Sequence, residues 1–214
     1  MDVVLPCLNE AAALPGVLAA LPPGYRAVVV DNGSTDGSAD VARRLGAYVV
    51  LENSPGYGAA VHAGLLAATS DVVAVLDADG SLSPEALPRM VRLVQLGEAD
   101  MVLGRRLPTG HGVWPWHARV GNAALAALLR HRGPAVRDIG PIRVARRVEL
   151  IALGVRDRRF GYPLELLLRA HDARWRLVEV AVDYRPRTAG TTSKVSGSVR
   201  GTARAVHDMM GVLR

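Results

Sequence analysis

The chain has 214 residues, half of them apolar and only 4% aromatic, a composition that suits one large globular domain and excludes a disordered chain. Its formal net charge of +6, from 26 Lys and Arg against 20 Asp and Glu, favours anionic partners: phosphates, nucleic acid or an acidic membrane surface. The single cysteine, Cys7, excludes an internal disulfide and a cysteine-built zinc site and fits a cytoplasmic protein, and no run reaches the ~20 apolar residues needed to span a bilayer.

The chain opens directly on MDVVLPCLNE, which reads as a strand and not as a signal peptide. Val3 to Leu5 is a short first strand ending at Pro6, and Asn9-Glu10 opens a helix to Leu21, broken by Pro22-Pro23-Gly24. Tyr25 to Val30 is the second strand and closes in Asp31. DNGSTDGS follows, with Ser34, Thr35 or Asp36 available as N-cap of a helix to Leu45. Tyr48 to Leu51 is a third strand, and Gly58 to Ala68 an Ala-rich helix. The run VVAVLDADGS, Val72 to Ser81, then carries a buried strand straight into Asp77, Ala78 and Asp79. A helix over Pro84–Leu96 and a strand over Asp100–Leu103 repeat the pattern. Strict alternation of this kind predicts an α/β fold with a mostly parallel central sheet flanked by helices and right-handed crossovers.

After Gly104 the rhythm changes. Arg105 and Arg106 begin a loop with Pro108, Gly110, Gly112 and Pro115; a helix is expected over Ala118–Leu129 and a short strand over Ile142–Val144. Helices follow near Arg146–Leu153 and Tyr162–Ala170, then a late strand within Trp175–Val182. Tyr184 to Ser196 is a basic loop rich in Pro, Gly and Thr, and Val199–Leu213 has apolar residues near helical spacing. The break near Gly104 divides a single domain, 1–214, into a first half, 1–104, and a second half, 105–214, which carries most of the basic excess.

Asp77 and Asp79 sit at the carboxyl end of a strand, where ligands of open α/β sheets bind. At spacing i, i+2 they lie on one side of an extended segment and repel unless a cation joins them or one is protonated. A hard divalent ion, Mg2+ or Mn2+, is the natural neutraliser, and such ions also hold substrate phosphates. An Asp-rich turn is the structural alternative. No Walker-type loop is present, so phosphates need the metal and the basic loop. Asp31 either caps its turn or accepts a ribose hydroxyl. Asn9 and Glu10 either start a helix or line the site, and Asp36 reads more simply as a cap.

VVLPCLNE, VVVDNGSTDGS and VVAVLDADGS together resemble the nucleotide-binding half of the inverting glycosyltransferases of family 2, which have the GT-A fold. VLGRR, RDIGPIR and EVAVDYRPRTAGTTSKVSGS are similar to the polyprenyl-phosphate branch, the dolichol-phosphate mannose synthase type. The resemblance implies a nucleoside-diphosphate sugar donor with its nucleoside against Pro6, Asn9, Glu10 and Asp31. It implies a metal on Asp79 with Asp77 between metal and ribose, and a loop bearing Arg185, Arg187 and Lys194 that closes on the diphosphate. Polyprenyl phosphate is then the expected acceptor, near Arg105, Arg119, Asp138 and Arg143, at the inner face of a membrane touched peripherally. Two departures stand out: Ser81 replaces a glutamine that relatives use as a further metal ligand, and Gly140-Pro141-Ile142-Arg143 replaces their Ser-Gly-Phe-Arg.

A phosphate acceptor is already anionic and needs little base, whereas a hydroxyl acceptor needs one; Asp138 and Glu165 are the candidates. Trp114, Trp116 and His117 are read as an acceptor wall, a membrane contact or plain packing. The rival functions are a glycosyltransferase for a small hydroxyl-bearing molecule, a sugar-phosphate nucleotidyltransferase, and an anion- or nucleic-acid-binding module. PCLNEAAALP lacks the Gly-rich basic loop of the second, and the few aromatics and missing nucleic-acid motifs count against the third.

Overall fold

A computed structural model describes residues 1–111, 113–191, 208, 209, 211 and 212. Its seven-stranded sheet has the order β3-β2-β1-β4-β6-β5-β7. The strands are β1 (Asp2–Cys7), β2 (Arg26–Asp31), β3 (Tyr48–Leu51), β4 (Val72–Val75), β5 (Met101–Pro108), β6 (Ile142–Arg146) and β7 (Leu177–Tyr184). All run parallel except β6, which lies antiparallel between β4 and β5.

The helices are α1 (Leu14–Ala19), α2 (Ser38–Arg44), α3 (Tyr57–Ala67), α4 (Leu87–Gln95), α5 (Trp116–Arg132), α6 (Arg147–Ala152) and α7 (Tyr162–Asp172). They cover both faces of the sheet, so its strands read as apolar runs. Alternation divides each run between two cores. Val3, Leu5 and Val29 join Leu14, Leu87 and Met90 on one side. Val4, Val28 and Val30 join Val61, Leu65, Leu164 and Leu167 on the other.

Four elements depart from the sequence expectation. β4 ends at Val75, so Asp77 and Asp79 lie beyond the strand, and Ala78 and Asp79 form a turn and not an extended segment, with Asp79 taking the Ser81 amide. The first helix begins at Leu14 and not at Asn9-Glu10, because Asn9 takes a left-handed backbone (φ 57°), which Asn tolerates better than most residues. Its amide and that of Glu10 are given instead to the Ser34 and Ser38 hydroxyls, both at 2.9 Å. The fifth strand continues past Leu103 through Arg105 and Arg106 to Pro108, where a loop was expected, because β7 pairs with it along its whole length. The cap position of α2 is Gly37, although Asp36 accepts the Ser38 amide at 3.0 Å. Lys194 and most of the Val199–Leu213 stretch lie outside the described residues; within that stretch, Met209 and Val212 pack on the α3–α7 side.

Candidate active site

Because β1, β2, β4, β5 and β7 all point the same way, their carboxyl ends share one rim of the sheet. The start of antiparallel β6 reaches the same rim. The topology thereby gathers Pro6–Glu10, Asp31, Asp77–Asp79, Arg105–Pro108, Asp138–Ile142 and Tyr184–Thr188 along one edge.

At the β1–β2 end, two loops are stapled together. Asn9 Oδ1 accepts the Thr35 amide at 2.7 Å, and Asp36 Oδ2 the Ala11 amide at 3.0 Å. Asp31 is buried, and its Oδ1 accepts the amides of Gly33 and Ser34 at 3.0 and 2.9 Å. Its Oδ2 is equally buried and accepts no hydrogen bond from the described residues. Asp31 therefore caps its turn with one oxygen, and the other is left as a buried acceptor, costly unless a donor satisfies it.

At the end of β4, Asp79 is only 3% exposed. Its Oδ1 accepts the Ser81 amide at 2.8 Å, and its Oδ2 lies 2.7 Å from Arg187 Nη1. Arg187 is also 4.0 Å from Glu10 Oε1. Burial, and then the charge of Asp79, push Asp77 up to about 6, against the pull of Arg143 and Arg187. Arg143 is almost wholly buried; it donates to the Tyr57 hydroxyl at 3.2 Å and to the Ile139 carbonyl at 3.3 Å. It is thus a cation beneath the acid pair and not the accessible acceptor ligand expected from sequence.

The pair fits a metal of the expected kind. Among the described residues no cluster of three or more His, Cys, Asp or Glu forms a self-sufficient cage. Mg2+ and its like are commonly held by one or two carboxylates, with waters and substrate phosphates completing the shell. The oxygen of Asp79 left over by Ser81 already faces a cation, and Ser81 itself is buried.

Asp138 is not free to act as a base. Arg106 grips it through its amide and Nε at 2.9 Å and its Nη2 at 2.6 Å, and Gly140 adds its amide at 3.1 Å. Burial alone would raise this carboxyl, but the Arg106 hydrogen bonds and charge outweigh it and hold Asp138 below the usual range. Glu165 fails for a similar reason: it accepts the Arg156 and Asp157 amides and pairs with Arg169, bracing the turn before α7.

Arg106 was not foreseen. It also donates to Asn122 Oδ1 at 3.0 Å and lies 4.1 Å from the Trp114 ring centroid, with Tyr184 5.7 Å away. It ties β5, α5, the loop before β6 and the end of β7 into one hub. The adjacent Arg105 points to the other side of the strand, so the Arg-Arg pair was the available signal. Beyond the hub, Trp114, His111, Thr109 and exposed Arg119 line an open recess of about 440 Å³. Arg185 donates its amide to the Ser81 carbonyl at 2.8 Å, while its side chain rests 3.7 Å from Asp183.

Residues 2–150 match the description "Glycosyl transferase family 2". The chain is 59% identical, over its full length and 97% of the relative's, to an uncharacterised glycosyltransferase of Mycobacterium tuberculosis. It is 34% identical to a dolichyl-phosphate hexose transferase of Haloferax volcanii, over 89% of this chain and 85% of that one. Its fold is similar to that of glucosyl-3-phosphoglycerate synthase from M. tuberculosis, crystallised with Mn2+, uridine diphosphate and phosphoglyceric acid. That likeness has a TM-score of 0.77 at 24% identity and covers 99% of this chain and 76% of the other. The same synthase has been crystallised with Mg2+ and uridine diphosphate. A GT-A-like sheet with an acid pair at its rim, and a family match across most of its length, make this chain a glycosyltransferase of family 2.

Proposed function

We propose that the protein transfers a sugar, with inversion, from a nucleoside-diphosphate sugar to a small phosphorylated acceptor bearing a hydroxyl. The carrying observation is the rim: a buried Asp79 and a half-buried Asp77 beside cations, near the unpartnered buried oxygen of Asp31. In this reading Asp31, Pro6, Asn9 and Glu10 hold the nucleoside. Asp79 and Asp77 hold Mg2+ or Mn2+, which when bound neutralises the diphosphate as a Lewis acid. Arg185, Arg187 and Lys194 offer donors to the departing phosphates. Arg105 and Arg119 offer positive charge to the acceptor.

The small acceptor is supported by the synthase that shares this fold, whose structure holds phosphoglyceric acid together with Mn2+ and uridine diphosphate. Among the described residues no helix is long and apolar enough to cross a membrane. Since Asp138 and Glu165 are engaged, a hydroxyl proton must go elsewhere. Inversion puts the departing diphosphate on the far face of the sugar, and the acceptor's own phosphate is an anionic group able to take the proton.

A second reading, polyprenyl phosphate as acceptor at a membrane face, has its own support. The Haloferax relative is a dolichyl-phosphate enzyme, and a phosphate oxygen attacks without any base. Purified protein incubated with UDP- or GDP-sugars and Mn2+, with either small phosphorylated alcohols or a short-chain polyprenyl phosphate, separates the two. A glycosylated small phosphate, identified by mass spectrometry, supports the first; product on the polyprenyl phosphate alone rejects it. No transfer in either arm, with pyrophosphate released from a nucleoside triphosphate, rejects both.

A further inference from the structure

Asp79 Oδ1 accepts the Ser81 amide at 2.8 Å, and Oδ2, the oxygen with no amide on it, already has Arg187 at 2.7 Å. The arginine does not arrive alone. The segment that carries it is fastened to the acid-bearing turn at several points. The Arg185 amide donates to the Ser81 carbonyl at 2.8 Å, the Thr188 amide donates to the Asp79 carbonyl at 3.1 Å, and Leu82 bridges to Tyr184. Gly80 fits beneath Thr188 so closely that an added Cβ would lie 2.5 Å from its Oγ1, and Gly80 has a φ of +76°. Both features suit glycine at this position.

A divalent ion bound to this oxygen at ~2.0–2.6 Å would stand within about 5 Å of the guanidinium. Two cations that close repel strongly in a half-buried rim. The two therefore compete for the same carboxylate.

We propose that Arg187 is the resident counter-cation of the Asp77–Asp79 pair and is exchanged for the divalent ion. Metal entry and release of residues 185–188 from the rim are then a single event, which frees Arg187 for the incoming diphosphate. The inference rests on the metal-dependent reading above. It gives the acid pair a counter-charge at Asp79, and it makes the protein's apparent metal affinity lower than the bare carboxylates would give. Glu10, 4.0 Å from the same guanidinium, keeps the arginine nearby as it leaves.

The test measures Mn2+ binding by the full chain without nucleotide, by electron paramagnetic resonance titration, for wild type, Arg187→Gln, Arg187→Lys and Asp79→Asn. Removing the competing charge should tighten binding about tenfold in Arg187→Gln, equivalent to ~1.4 kcal/mol. Arg187→Lys, which keeps the charge, should stay near wild type, and Asp79→Asn should lose the ion. In wild type, Mn2+ should also speed hydrogen exchange at the Thr188 and Arg185 amides, a readout that needs no substitution. Equal Mn2+ affinity in wild type and Arg187→Gln, with unchanged exchange at those amides, overturns the proposal while leaving sugar transfer intact. Failure of wild type, Arg187→Gln and Arg187→Lys alike to bind Mn2+, even with UDP or GDP present, overturns both the exchange and the metal-dependent reading.

Discussion

Asp77 and Asp79 are two positions apart and live in different surroundings. Asp79 is matched by an arginine, while Asp77 is raised to about 6 by burial and by its neighbour's charge. A carboxyl whose folded pKa lies above its unfolded value, ~3.9, favours the fold most when protonated. That contribution is complete below pH ~4 and is lost as pH rises through about 6. Asp77→Asn should therefore raise the melting temperature of the chelator-treated protein at pH 8 and change it little at pH 4, as scanning calorimetry will read. Asp138 has the opposite sign: its contribution exists above the unfolded pKa and disappears as pH falls through the depressed folded one. Arg106→Met strips the partner from a buried carboxylate and should cost ~3–5 kcal/mol in urea unfolding. The acids of this site were legible because strand ends are easy to find. The partners were not: neither Arg106 on Asp138 nor Arg143 on Tyr57 is near its partner in sequence, and only the fold decides which arginine meets which acid.

Strand and helix identity followed from periodicity, and the departures come from tertiary pairing. β5 extends through two arginines and a proline because an edge strand, β7, offers it a continuous partner; local pattern carries no trace of that. α1 starts late because Ser34 of the loop after β2 and Ser38 of α2 claim the amides of Asn9 and Glu10. Helix glycines make the same point about context. On Gly64 of α3 an added Cβ would lie 2.3 Å from Val4 Cγ1 and 2.9 Å from Val30 Cγ2. Gly64→Ala should thus overpack the helix against the sheet and destabilise by ~1–3 kcal/mol. Gly121 of α5 has nothing within 4 Å, so Gly121→Ala should stabilise by ~0.5–1 kcal/mol. Parallel urea titrations of the two variants will give opposite signs.

On the scale of the molecule, the basic excess and the shared rim were both anticipated, and the place of each basic residue was not. Some of the positive charge is held inside the protein, by Arg106 on Asp138 and by Arg143 beneath Asp77, and is unavailable to a partner. Ligand binding to the native state adds to its stability as RT ln(1 + [L]/Kd). UDP or GDP at a hundredfold excess over its Kd, with Mn2+, should add ~2.7 kcal/mol, read as a rise in melting temperature that EDTA abolishes.

The antiparallel insertion of β6 between β4 and β5 has a consequence for biosynthesis. While the ribosome has made only the first hundred residues or so, β4 presents Val72–Val75 as a bare edge, the sort that recruits other chains. Its neighbour is delivered some seventy residues later, and β5 waits longer still for β7. Nascent chains stalled in that interval are where aggregation and chaperone capture will concentrate.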